Sequence, residues 1–190
     1  MKPLALAAAT AAFLAGAAQA NDYAPAMQAF LDAQVRSWAQ DPVLVSAIAA
    51  QNARTGGLAQ SEIDALDQAW QSEVGSGATP TIDPVMQNAA ADFLRARVSE
   101  SGGMITEVFA FDARGLNVAA SDVTSDYWQG DEEKYSETYP VGADAVHFGE
   151  VEFDDSTQTF QGQISLTITD PATGEAIGAM TVGVNAEALM

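Results

Sequence analysis

The apolar residues of this chain repeat with one spacing before Gly102-Gly103 and with another after it. Upstream they recur every three or four residues, the period of a helix with one buried face. Downstream they alternate, the period of a strand. Such a chain must build helices first and a sheet second. That predicts an α+β fold, with N-terminal helices packed on a five-stranded antiparallel sheet.

In the helical part, Pro25 opens a run that puts Met27, Phe30, Leu31, Val35 and Trp38 on one face. Asp41-Pro42 reads as a cap followed by proline at the first helical position. It starts a second run through Val43, Leu44, Ala47 and Ile48, which Gly56-Gly57 ends. Ser61-Glu62-Ile63-Asp64 resembles a capping box ahead of a stripe of Ile63, Leu66, Trp70 and Val74. After the loop from Gly75 to Pro80, Asp83-Pro84 repeats the cap-proline signal. It is expected to start one helix reaching Val98, with Val85, Met86, Ala89, Ala90, Phe93 and Leu94 inward.

In the sheet part, Ile105 to Phe111 is apolar enough for a buried strand, and Asp112 to Gly115 reads as a tight turn into Leu116 to Ala120. Phe148 to Phe153 alternates. Thr157 to Thr169 is the clearest strand, with Phe160, Ile164, Leu166 and Ile168 on one face and Gln161, Gln163, Ser165, Thr167 and Thr169 on the other. Asp170 to Gly174 turns the chain into a last strand, Ala176 to Val184.

Residues 1–20 carry Lys2, an apolar run from Leu4 to Ala17 and the small-x-small ending Ala18-Gln19-Ala20. These are the marks of a cleavable secretory signal. The expectation is a soluble periplasmic protein with one domain over residues 21–190, helical over 21–100 and sheet over 101–190, and no membrane span after cleavage. With no cysteine, disulfide, zinc-thiolate and thiol-nucleophile chemistry are excluded. The formal charge of −19 disfavours nucleic acid and anionic membranes and attracts cations.

The segment from Ser121 to His147 is the least generic. It holds Asp122, Asp126, Asp131, Glu132, Glu133, Glu137 and Asp144 against the single cation Lys134, together with Tyr127, Trp128, Tyr135 and Tyr139. Aromatic faces bury the apolar parts of a ligand and attract cations, while fixed carboxylates and hydroxyls orient it. Asp131, Glu132 and Glu133 also suit the first turn of a short helix beginning near Gly130, which is the reading favoured for Glu132 and Glu133.

Phe111-Asp112-Ala113-Arg114-Gly115, Ser121-Asp122, Asp126-Tyr127-Trp128-Gln129-Gly130-Asp131 and Ile177-Gly178-Ala179, in that order, resemble the Cache family of extracytoplasmic PAS-like sensor domains. The resemblance runs from about Ala90 to Ala186. It implies a small ligand, such as an amine, amino acid or other small metabolite, held between the sheet and the loop over it. Tyr127, Trp128, Asp126, Asp131 and Tyr135 would then form the pocket, and Gln163 and Ser165, with Thr167, its floor. Carboxylate-binding relatives use Arg, Lys or His, which are sparse here, so the ligand tilts toward one whose ammonium meets Asp126 or Asp131. Relatives sit in membrane receptors, and a receptor or kinase partner follows by resemblance. Since the sequence stops after the last strand, a free-standing member is expected.

Three other readings compete. An enzyme is not expected, because His147 is the only histidine, no third orienting group is identifiable and no G-x-S-x-G motif occurs. Calcium binding through an irregular site is one alternative, although Asp122, Asp126 and Asp131 do not match an EF-hand. A protein-interaction module without a small ligand is the other, with Trp38 and Trp70 on the contact face. No cofactor or metal site is assigned.

Overall fold

In a computed structural model, residues 22–154 and 159–189 are described. The expected signal at 1–20 and the start of the long strand at Thr157 lie outside them. The first helix, α1 (Ala24–Phe30), runs through a π-helical stretch (Leu31–Val35) into α2 (Arg36–Ala39). The wider π turn shifts the buried face, so Met27, Phe30, Leu31, Val35 and Ala39 point inward while Trp38 stays half-buried. Next comes α3 (Pro42–Thr55), which starts as expected: the Asp41 carboxylate accepts from the Val43 N–H at 2.9 Å.

Two boundaries differ from the expectation. The next helix, α4 (Gln60–Glu73), begins ahead of the supposed box at Ser61, and Glu62 reaches back to accept from the Ala59 N–H at 2.8 Å. The single helix expected from Asp83 to Val98 is two, α5 (Asp83–Met86) and α6 (Ala89–Glu100). Asn88 makes the break: its Oδ1 accepts from the Ala91 N–H, and its amide donates to the carbonyls of Pro84, Val85 and Val118.

The strands are β1 (Ile105–Asp112), β2 (Asn117–Ala120), β3 (Val146–Phe148), β4 (Glu152–Asp154), β5 (Thr159–Thr169) and β6 (Ala176–Asn185), with a short helix α7 (Glu133–Ser136) between β2 and β3. They form one antiparallel sheet in the order β2-β1-β6-β5-β3, and β4 also pairs with β5. The strand expected over Phe148 to Phe153 is thus split. Gly149 bonds opposite Gln163 and Glu152 opposite Gln161, so one strand carries an extra residue there. Such an insertion resets the alternation, and Glu152 shares a face with Gln161.

Both faces of the sheet are covered. Val108 and Ala110 of β1, with Ile164, Ile168, Met180 and Val182, pack on Leu31, Leu44, Ile48 and Leu94 of the helices. Phe109 and Phe111, the alternate residues of β1, pack with Ala179 on Ile63 and Trp70 of α4 and on Tyr127. This explains why β1 is apolar on both sides. The polar row of β5 is not solvated either: Gln161, Ser165 and Thr167 are buried, and Ser165 and Thr181 share a hydroxyl hydrogen bond of 2.9 Å.

The β1–β2 turn is built around a fully buried carboxylate. Asp112 Oδ1 accepts from the N–H groups of Arg114 and Leu116 at 2.8 and 3.0 Å, and Oδ2 accepts from Thr55 Oγ1 and Gln51 Nε2 at 2.6 and 3.1 Å. The side chain therefore folds the turn and ties it to α3. Asp112→Ala leaves these donors buried without an acceptor and is expected to cost about 3 kcal/mol in urea unfolding. Asn88→Ala removes a cap and the bridge to β2, and the same measurement should show a loss of about 2 kcal/mol.

Candidate functional site

The segment between β2 and β3 lies over the second face of the sheet and is fastened there residue by residue. Asp67 of α4 accepts from the N–H groups of Tyr127 and Trp128 at 2.8 and 3.0 Å. Trp70 Nε1 donates to the Thr124 carbonyl at 2.8 Å, and its ring stacks on Tyr127 with centroids 5.3 Å apart. Trp128 Nε1 donates to the Arg114 carbonyl, and the Tyr135 hydroxyl donates to the Ala113 carbonyl, at 2.8 and 2.9 Å. The Asp126 carboxylate accepts from Gln71 Nε2 and the Ser125 hydroxyl.

The glycines of this segment have a steric reason. Gly115, at φ +78°, backs onto Gly130 so closely that a Cβ there would stand 2.8 Å from the Gly130 backbone. A Cβ on Gly130 would strike the Trp128 indole. The Arg114-Gly115 turn and the Trp128-Gln129-Gly130 stretch therefore interlock as one unit.

Beside this unit opens a cavity of about 590 Å³. It is lined by Asp131, Glu132, Glu133 and Lys134 of the segment, by His147 of β3, by Gln161 and Gln163 of β5, and by Glu150, Glu152 and Phe153. Of the residues expected at a ligand site, Asp131 and Gln163 meet here. Ser165 is buried against Thr181, while Asp126, Tyr127, Trp128 and Tyr135 serve the fastening of the segment and do not border this cavity. Glu150, Glu152 and Phe153 were not anticipated. Gln161 could have been, since it alternates in phase with Gln163.

Five carboxylates border the cavity, and one of them, Glu132, is engaged by a cation within it, Lys134 Nζ at 2.8 Å, while Glu133 lies 3.6 Å from His147 Nε2. Lys134 also reaches Gln129 Oε1 at 3.3 Å and lies 5.4 Å from the centre of the Phe109 ring. The Gln161 amide is committed to Thr106 and Glu107. Asp131, Glu150 and Glu152 are exposed, so a cation entering the cavity can reach them without a side chain having to move aside. Among the described residues, no three His, Asp or Glu side chains gather as a metal site would require, which leaves Asp122, Asp126 and Asp131 apart as calcium ligands. No helix among these residues is long and apolar enough to cross a membrane.

No family model matches the chain, and no curated protein sequence matches it at a significant level. Solved structures similar to it include the sensor domain of the V. cholerae histidine kinase DctB, at 12% identity and a TM-score of 0.45 over 88% of this chain and 53% of that one. The sensory domain of the Campylobacter jejuni chemoreceptor Tlp3 with isoleucine bound matches at 14% identity and a TM-score of 0.41, covering 87% of this chain and 63% of that one. The ligand-binding domain of the Pseudomonas aeruginosa PAO1 amino acid chemoreceptor PctC in complex with GABA matches at 14% identity and a TM-score of 0.37, covering 68% and 55%. The chain thus spans between about half and two thirds of the length of these domains, each of which is a sensor or ligand-binding domain.

Proposed function

We propose that the protein is a periplasmic sensor-type binding domain for a small molecule carrying an ammonium group, an amine or an amino acid. The observation that carries this reading is the cavity of about 590 Å³ bordered by five carboxylates beside one lysine and one histidine. Its volume suits a small metabolite. Asp131, Glu150 and Glu152 would receive the ammonium, the Gln163 amide would orient a second polar group, and the Phe153 ring would offer an apolar and cation-attracting surface. Lys134 would meet a carboxylate where the ligand is zwitterionic. In this reading Asp126, Tyr127, Trp128 and Tyr135 act indirectly, by holding Asp131 in place.

The resemblance of the Phe111–Gly115 and Asp126–Asp131 stretches to the Cache family supports the same assignment. Export by residues 1–20, a single domain over 21–190, a receptor or kinase partner and the absence of catalysis belong to this proposal. So does a binding role without nucleic acid.

A thermal-shift screen of amines, amino acids, organic acids and calcium, with a chelator control, tests it. A cationic ligand at 100 times its dissociation constant should add about 2.7 kcal/mol of stability, or roughly 5–11 °C at about 2–4 °C per kcal/mol. The gain should shrink as salt rises and be lost in the double variant Asp131→Asn, Glu152→Gln. A response confined to calcium, or no response to any amine or amino acid, refutes the assignment.

A further inference from the structure

A second cavity, of about 880 Å³, opens on another flank, between α3, the connection from α4 to α5, and β2. Its apolar lining includes Val43, Ala47, Leu66, Val85 and Val118. No aspartate or glutamate borders it, in a chain that carries 26 of them. Its one charged residue is Arg54, and its buried ring is Tyr127.

We propose that this cavity binds a small organic monocarboxylate with an apolar body, its carboxylate held by Arg54 and the Tyr127 hydroxyl.

Arg54 is set apart by what it lacks. Arg36, Arg95, Arg97 and Lys134 each pair with a carboxylate close by in sequence. Arg54, exposed in the last turn of α3, has no such pair among the described residues. An unpaired guanidinium at the mouth of an acid-free cavity is a complement for a carboxylate, which it can meet with two parallel hydrogen bonds. Tyr127 is fixed by its stack on Trp70. Its pKa is pushed up to about 12, by burial first and then by the Asp112 charge, with Arg54 acting in the opposite sense. The phenol therefore stays protonated and available as a donor, and Arg54 is near enough to feel it. The neighbouring polar groups are already engaged: Thr55 and Gln51 bond to Asp112, and the Asn88 amide bonds to carbonyls. What remains for a ligand is one cation, the hydroxyls of Tyr127 and Ser46 and an apolar wall, which suits a short fatty or aromatic acid and leaves a second charge without a partner.

The negative charge of the whole chain works against any anion, so affinity must come from the local arrangement. Calorimetric titration of the full chain with sodium hexanoate should show saturable binding, and hexanamide, the neutral isostere, should bind about tenfold more weakly. Arg54→Gln should weaken hexanoate by about tenfold and Tyr127→Phe by about threefold. Arg114→Gln, which removes the other cation without an ion pair among the described residues, should change nothing, and the amine response of the first cavity should persist in Arg54→Gln. The proposal is overturned if hexanoate does not saturate, if hexanamide binds as well, or if Arg54→Gln binds hexanoate like the parent, as it would if Arg54 served only the helix end.

Discussion

The rest of the molecule hangs on the burial of one carboxylate. Asp112 ends β1 with no solvent contact, and every donor aimed at it belongs to a piece that must be placed before the site exists. Two are backbone N–H groups of its own turn, and two are side chains of α3. Gln51 then passes the connection on, donating to the carbonyls of Leu116 and Asn117 where β2 begins. A buried anion without partners would cost several kcal/mol, so this position is tolerable only when helix and turn are both in place. The network thus makes helix docking and turn formation one event. The interlocked Gly115, Trp128 and Gly130 follow from it, because Trp128 bonds to the carbonyl of Arg114 within that turn.

From there the segment over the sheet has little freedom. Asp67 and Trp70 on α4 take hold of Thr124, Tyr127 and Trp128, and Tyr135 returns to Ala113 in the turn. A mostly polar stretch is fixed in this way by α4 on one side and the β1–β2 turn on the other. Its aromatic residues and Asp126 supply the hold, while Asp131, Glu132 and Glu133 border a cavity.

The features legible in the sequence are those whose cause is local. The Asp41-Pro42 cap is a contact between a side chain and an N–H two residues away, and the two periods report which face of each element is buried. The features that escaped depend on distant partners. Asn88 breaks a helix because the Val118 carbonyl, thirty residues on, accepts from its amide. The extra residue between Gly149 and Glu152 is visible only once both are counted against β5. Before that count, Glu152 could not be placed beside Gln161, nor Glu150 and Phe153 at the cavity. Tyr127 and Trp128 are conspicuous as ring types, but the ring type does not tell a ligand contact from a fastening. Asp67, which takes both of their N–H groups, sits on an exposed-looking stretch of α4 and carries no local sign of that task.

The two cavities divide the charge of the chain. A formal charge of −19 spread evenly would put acids around any opening. Instead, five carboxylates border one cavity and none borders the other. At a separation of several ångströms near a surface, each added carboxylate changes the energy of a bound ion by an amount on the order of a kcal/mol. The two openings therefore differ in sign preference by far more than thermal energy, although one short segment contributes to both. Tyr127 faces the acid-free cavity, and Asp131, four residues later, faces the acidic one. In sequence the two are joined by Trp128-Gln129-Gly130, the stretch whose contacts tie the segment to the turn at Asp112.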